Sequence, residues 1–135
     1  MTTETETLSV IVEREVAFPP EKIWRALTQP HLIAEWLMKS DFRPVLGHRF
    51  DLSADWGIVN CEVREVEPHR SLAYSWDTKD LRSIVTWTLT PTENGTILRI
   101  EQQGFEPHQR PYFQGATAAW PRFVDAMEKL LAGLD

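Results

Sequence analysis

The sequence predicts an α+β domain: a six-stranded, curved antiparallel sheet wrapped around a long C-terminal helix, with two short helices after the first strand. Three observations predict it. Apolar residues alternate with period two in six separate stretches, and the last five are joined by short, breaker-rich connections, which makes an antiparallel meander. Two proline-led segments after the first strand carry apolar residues at helical spacing. The C-terminal segment repeats apolar residues every three or four positions, the stripe of an amphipathic helix.

The first strand is "LSVIVEREVAF" (residues 8–18), with Val10, Val12, Arg14 and Val16 on one face and Ile11, Glu13, Glu15 and Ala17 on the other. "PPEKIWRALTQ" follows, and Pro20 and Glu21 suit a first helical turn, with Ile23, Trp24 and Leu27 as its stripe. Pro30 interrupts it, and "HLIAEWL" forms a second short helix with Leu32, Ile33, Trp36 and Leu37 apolar. "KSDFRP" reads as loop. The five later strands place His48, Phe50 and Leu52; Val59, Cys61 and Val63; Leu72, Tyr74 and Trp76; Ser83, Val85, Trp87 and Leu89; and Thr96, Leu98, Ile100 and Gln102 on their inward faces. In the last helix Ala116, Ala119, Trp120, Phe123, Met127 and Leu130 share a stripe. Pro121 falls in that helix, where it either introduces a kink or marks the start of the regular part.

A chain of 135 residues predicts one domain, over residues 8–135, after a flexible polar tail at residues 1–7. The net charge of −6 and the lack of any basic run argue against nucleic acid as a partner. No apolar run approaches membrane-spanning length, and the N-terminus has neither the basic nor the apolar region of a signal peptide, so the expectation is a cytoplasmic protein with no membrane partner. The single cysteine, Cys61, allows no internal disulfide. The four histidines form no metal-ligand pattern, and there is no glycine-rich phosphate loop, so no metal and no cofactor are expected.

The aromatic residues on inward faces carry the functional signal: Phe50, Tyr74, Trp76 and Trp87 on strands, Trp120 and Phe123 on the last helix. Tyr and Trp each bring a polar atom that wants a partner, so a dry core uses them sparingly, whereas a pocket uses them as wall. A single long helix over a twisted sheet leaves room for such a pocket. Arg14, His48, Ser83 and Gln102 share the inward faces and supply a few polar groups, with no inward carboxylate. Trp36, Cys61, Phe105 and Tyr112 complete the candidate ligand-contacting set.

"VEREVAFPPEKIWRALTQPHLIAEW", "EVEPHRSLAYSW", "GTILRIEQQGF" and "ATAAWPRFVDAMEKLL" together resemble the START-like (SRPBCC) superfamily, and more narrowly the bacterial homologues of the heat-shock chaperone ATPase activator. The residues that carry the resemblance are Arg14, Pro19, Ile23, Trp24, Ala26, Leu27, Thr28, Pro30 and Trp36 at the front. At the back, Gln102 stands where the family often has histidine, and Ala119 replaces the glycine before the tryptophan. The resemblance implies a helix-grip fold. The leading expectation is a binding module for a small hydrophobic or aromatic molecule, neutral or anionic. An enzyme of the cyclase or hydrolase type in the same cavity is the alternative; it would need an acid or base, and His48 is the only inward histidine. A third reading is a regulator of a chaperone partner acting through its surface. Monomer and homodimer are both compatible with the sequence.

Overall fold

The computed structural model describes residues 7–134, so all of the predicted tail except Thr7 lies outside the described residues. Strand β1 (Leu8–Val16) leads into α1 (Pro20–Thr28) and α2 (Pro30–Trp36). Six strands follow: β2 (Lys39–Ser40), β3 (Arg49–Ala54), β4 (Gly57–Glu67), β5 (Ser71–Asp77), β6 (Arg82–Pro91) and β7 (Thr96–Phe105). A 3-10 turn (Pro107–Gln109) introduces the long helix α3 (Arg110–Ala132). All pairings are antiparallel, in one sheet of order β1-β7-β6-β5-β4-β3-β2.

The sheet has seven strands, not the predicted six. The addition is β2, from a segment read as loop, which pairs Lys39 with Ser53 and Ser40 with Leu52 at the edge beside β3. Two residues are too short to display an alternation, so only the tertiary pairing reveals them as strand.

The prolines do what their chemistry requires. Pro20 opens α1, where its missing N–H would be unpaired in any case. Pro30 forces Gln29 into an extended conformation (φ −95, ψ 119), and Gln29 closes α1 and opens α2 at once. Pro111 takes the first-turn position of α3, and Pro121 therefore lies in the helix interior, not at its start. It cannot donate to the Thr117 carbonyl one turn earlier.

The inward face of the sheet and the inner faces of the three helices form one core. On α3 the buried residues are Trp120, Val124, Met127 and Leu131, all from the middle of the helix onward. The N-terminal half, from Arg110 to Ala119, has no buried residue. On this half Phe113 meets Phe105 of β7 edge-on, with centroids 5.8 Å apart, and the small residues Gly115, Ala116 and Ala119 follow it. The helix buries large side chains from Trp120 onward and packs more loosely over its first half.

Candidate functional site

Beneath the N-terminal half of α3 lies an open cavity of about 720 Å³, within the size range of small-molecule sites. Its roof is α3: Pro111, Tyr112, Gly115, Ala116, Ala119, Trp120 and Phe123. Its floor is Trp76 of β5 with Gln102 and Phe105 of β7. Met38 closes one side, the β3–β4 hairpin contributes Trp56, Gly57 and Ile58, and the β5–β6 turn contributes Thr78, Lys79 and Leu81.

The rings of the wall are fixed by hydrogen bonds. The Trp120 indole N–H donates to Gln102 Oε1 at 2.7 Å, the Gln102 amide donates to Ser83 Oγ at 3.0 Å, and the Ser83 hydroxyl donates to the Trp76 carbonyl at 2.7 Å. This chain crosses from α3 through β7 and β6 to β5 and satisfies polar groups that are almost wholly buried. Trp120 meets Trp76 and Phe123 edge-on, with centroids 5.3 and 5.4 Å apart. The Trp76 indole N–H has no partner among the described residues and is not sealed from solvent.

The exposed residues of the lining include Trp56, Ile58, Lys79 and Tyr112, so the mouth lies between the β3–β4 hairpin, the β5–β6 turn and the start of α3. Gly57 holds φ +151, which lets a two-residue turn at Asp55 and Trp56 close the hairpin and present Trp56 beside the opening. Trp56, Ile58 and Tyr112 are exposed by 65, 56 and 38%, and they make up half of the large exposed apolar side chains among the described residues. Exposed apolar surface is therefore concentrated around this opening.

Of the candidates from sequence, the structure brings Trp76, Gln102, Phe105, Tyr112, Trp120 and Phe123 together in the wall. It places the others elsewhere. Trp87 is fully buried, donates to the Tyr74 hydroxyl at 3.0 Å and meets Trp36 and Trp120 edge-on. Trp36 donates to the Ala26 carbonyl at 2.8 Å. Phe50 packs against Tyr74 and Phe42, and Cys61 is buried beside it in the β3–β4 register. These residues fill the inward face from β3 to β6, with α2 over it, as solid core.

Ser83 stands one bond behind the cavity wall, holding Gln102. Arg14 faces inward from β1 as its parity predicts, but its guanidinium reaches Asp125 at 2.5 Å and Glu128 at 2.7 Å on α3, away from the cavity. His48 lies before β3 against the Phe50 ring, with Nε2 3.1 Å from the Asp41 carbonyl.

The sequence reading missed the hairpin tip, the β5–β6 turn and the small residues of α3. The stripe of Gly115, Ala116 and Ala119 was the available signal, because small residues on a helix face leave space that large ones fill. Lys79 and Trp56 sit in turns, where strand parity says nothing.

Electrostatically the wall is simple. Lys79 is its one charged residue, and no carboxylate or histidine belongs to it. Burial pushes the Tyr74 hydroxyl and the Cys61 thiol far above their ordinary pKa values; the Asp77 and Asp51 carboxylates add to the effect at Cys61. Both groups stay neutral, and neither reaches the cavity. Among the described residues no group of three His, Cys, Asp or Glu side chains is placed to hold a metal ion. No helix there is long and apolar enough to cross a membrane.

Comparison with known proteins agrees with this geometry. No curated protein matches the chain. Protein MLL2253 from Mesorhizobium loti, known from a crystal structure, is 56% identical, with a TM-score of 0.92 over 95% of this chain and 99% of that one. Protein BH1534 from Bacillus halodurans, known from a solution structure, is 27% identical, with a TM-score of 0.84 over 95% of this chain and 99% of that one. CalU16 from Micromonospora echinospora shares the fold, at 22% identity and a TM-score of 0.77 over 96% of this chain and 87% of that one. The family described as activator of Hsp90 ATPase homolog 1-like protein matches residues 17–132, nearly the whole folded domain. A curved antiparallel sheet gripping a C-terminal helix, matched over that length, makes this chain a START-like protein that belongs to the activator of Hsp90 ATPase homolog 1-like family.

Proposed function

We propose that this protein binds a small, mainly apolar molecule with an aromatic ring system in the cavity under the N-terminal half of α3. One observation carries the reading: the cavity is walled by Trp76, Trp120 and Phe123, and a buried hydrogen-bond chain holds its Trp120 wall in place before any ligand arrives. A wall that is already ordered loses little conformational freedom on binding. The exposed Trp56, Ile58 and Tyr112 side chains at the mouth give the occupant further apolar surface to cover.

Binding fits the wall better than acid–base catalysis. General acid–base chemistry needs a group that titrates near neutral pH within reach of the substrate. The wall carries no histidine and no carboxylate, and the one inward histidine foreseen from sequence, His48, hydrogen-bonds to the Asp41 carbonyl outside it.

The test is a fluorescence titration with N-phenyl-1-naphthylamine, an uncharged aromatic probe. Wild-type protein should saturate with it, and Ala116→Phe, which grows a ring from the roof into the space, should weaken binding by at least tenfold while remaining folded by circular dichroism. Equal affinity in the two proteins, or no saturation in the wild type, would overturn the reading. Native mass spectrometry of protein taken from its host would then look for a retained occupant.

A further inference from the structure

We infer that the occupant is an amphipathic anion, oriented with its rings between Trp76, Trp120 and Phe123 and its negative group at the mouth against Lys79. This rests on the binding reading above and adds the charge and direction of the ligand.

The interior cannot take the charge. Gln102 Oε1 already accepts from Trp120, its amide already donates to Ser83, and the Ser83 hydroxyl is turned to the Trp76 carbonyl. An oxyanion placed there would lose its water and meet the Trp76 indole N–H alone in return, one neutral donor for a full charge, which disfavours it. The apolar part of a ligand suits the inner end, so an ionised part must stay at the opening.

The opening is built to receive it. Lys79 is exposed, forms no ion pair among the described residues, and follows Thr78 in the wall. The turn that carries it is held firmly. Thr78 and Leu81 exchange backbone hydrogen bonds at 3.1 and 3.0 Å. Arg82 donates to the carbonyls of Thr78 and Lys79 at 2.9 and 3.2 Å. Gln109, at the threshold of α3, donates to the Asp80 carbonyl at 3.0 Å and ties the turn to the roof. The Leu81 side chain is buried against the core. The backbone that positions the ammonium is thus set by both floor and roof of the cavity.

Two other arrangements fit less well. A cation could stack on the aromatic rings, but Lys79 would repel it and the wall holds no carboxylate to receive it. The Asp77 and Asp80 carboxylates flank Lys79 in sequence without belonging to the wall, and the chain carries a net charge of −6. The long-range field therefore favours cations, and any preference for an anion must come from Lys79 at close range.

The experiment uses a matched pair of probes. 8-Anilinonaphthalene-1-sulfonate and N-phenyl-1-naphthylamine share one ring skeleton and differ by the sulfonate. In the wild type the sulfonate should bind more tightly, by about fivefold, the upper range for an exposed charge pair. Lys79→Gln should bring the ratio of the two affinities to about one, Lys79→Glu should invert it, and added salt should shrink the wild-type ratio. A ratio unchanged by Lys79→Gln, with the uncharged probe still bound, would overturn the anion inference and leave the binding reading standing. Failure of both probes to bind would overturn both.

Discussion

Replacing Gln102 with leucine isolates the hydrogen-bond chain that holds the cavity wall. Gln102 is 2% exposed, and so is Trp120, whose indole N–H it accepts. Leucine keeps most of the volume and removes both hydrogen bonds. Ser83 retains its bond to the Trp76 carbonyl, so it loses an accepted bond only. The Trp120 N–H is left buried without a partner, at about 1–3 kcal/mol. The added apolar surface of leucine offsets on the order of 1 kcal/mol. The net expectation is a loss of about 1 kcal/mol, or roughly 3–4 °C in Tm for a domain of this size.

Urea unfolding followed by tryptophan fluorescence reads the loss directly. A double-mutant cycle with Trp120→Phe then tests its cause, since phenylalanine removes the stranded donor. Coupling of about 1 kcal/mol is expected between the two substitutions. The affinity for N-phenyl-1-naphthylamine should also fall in Gln102→Leu, because Trp120 is no longer held. A loss below about 0.5 kcal/mol, with additive single changes, would refute the view that this chain organises the wall.

Further outcomes follow from other parts of the molecule. Pro121→Ala restores a backbone donor in the interior of α3, so thermal unfolding should shift upward by the equivalent of about 1–2 kcal/mol, with altered probe association and dissociation rates; a lower Tm would mean that packing of the ring outweighs the recovered bond. Burial raises the Cys61 pKa in the folded protein, so its contribution is complete below the unfolded value of about 8.5 and is lost as the pH rises above it; stability should fall by about 1.4 kcal/mol between pH 7.5 and 9.5, and the same urea titrations on Cys61→Val should lack this component. The same thiol should resist an aromatic disulfide reagent in native protein and react once urea unfolds it. Arg14→Met separates β1 from Asp125 and Glu128; with partners this exposed the cost should be about 1 kcal/mol, smaller at high salt, and a change in probe affinity would contradict its placement away from the cavity.

Most strand parities were legible because one face packs against helices and the other meets water, although β5 is buried on both faces. Val59, Cys61 and Val63, or Val85, Trp87 and Leu89, alternate for that reason, and the structure buries them as their spacing predicts. The helices were legible from Pro20, Pro30 and the stripe of α3. The two-residue β2 was not, because its pairing with β3 is a tertiary event with no local period.

Parity also says which face a residue uses, and no more than that. Trp87 and Trp76 share an inward face in sequence, yet one is sealed in a knot of rings with Trp36 and Tyr74 and the other lines an open space. What separates them is the position of α3, which presses Trp120, Val124, Met127 and Leu131 onto the sheet at one end, and at the other touches it through Phe113 while the small Gly115, Ala116 and Ala119 leave space beside it. The sequence by itself determined the curved antiparallel sheet, the gripping helix and the aromatic character of the space between them. The tertiary structure alone decided which rings pack and which remain wall, and it brought Lys79 and Trp56 from turns distant in sequence to the same cavity, because where a helix stands off a sheet depends on side chains from every element at once.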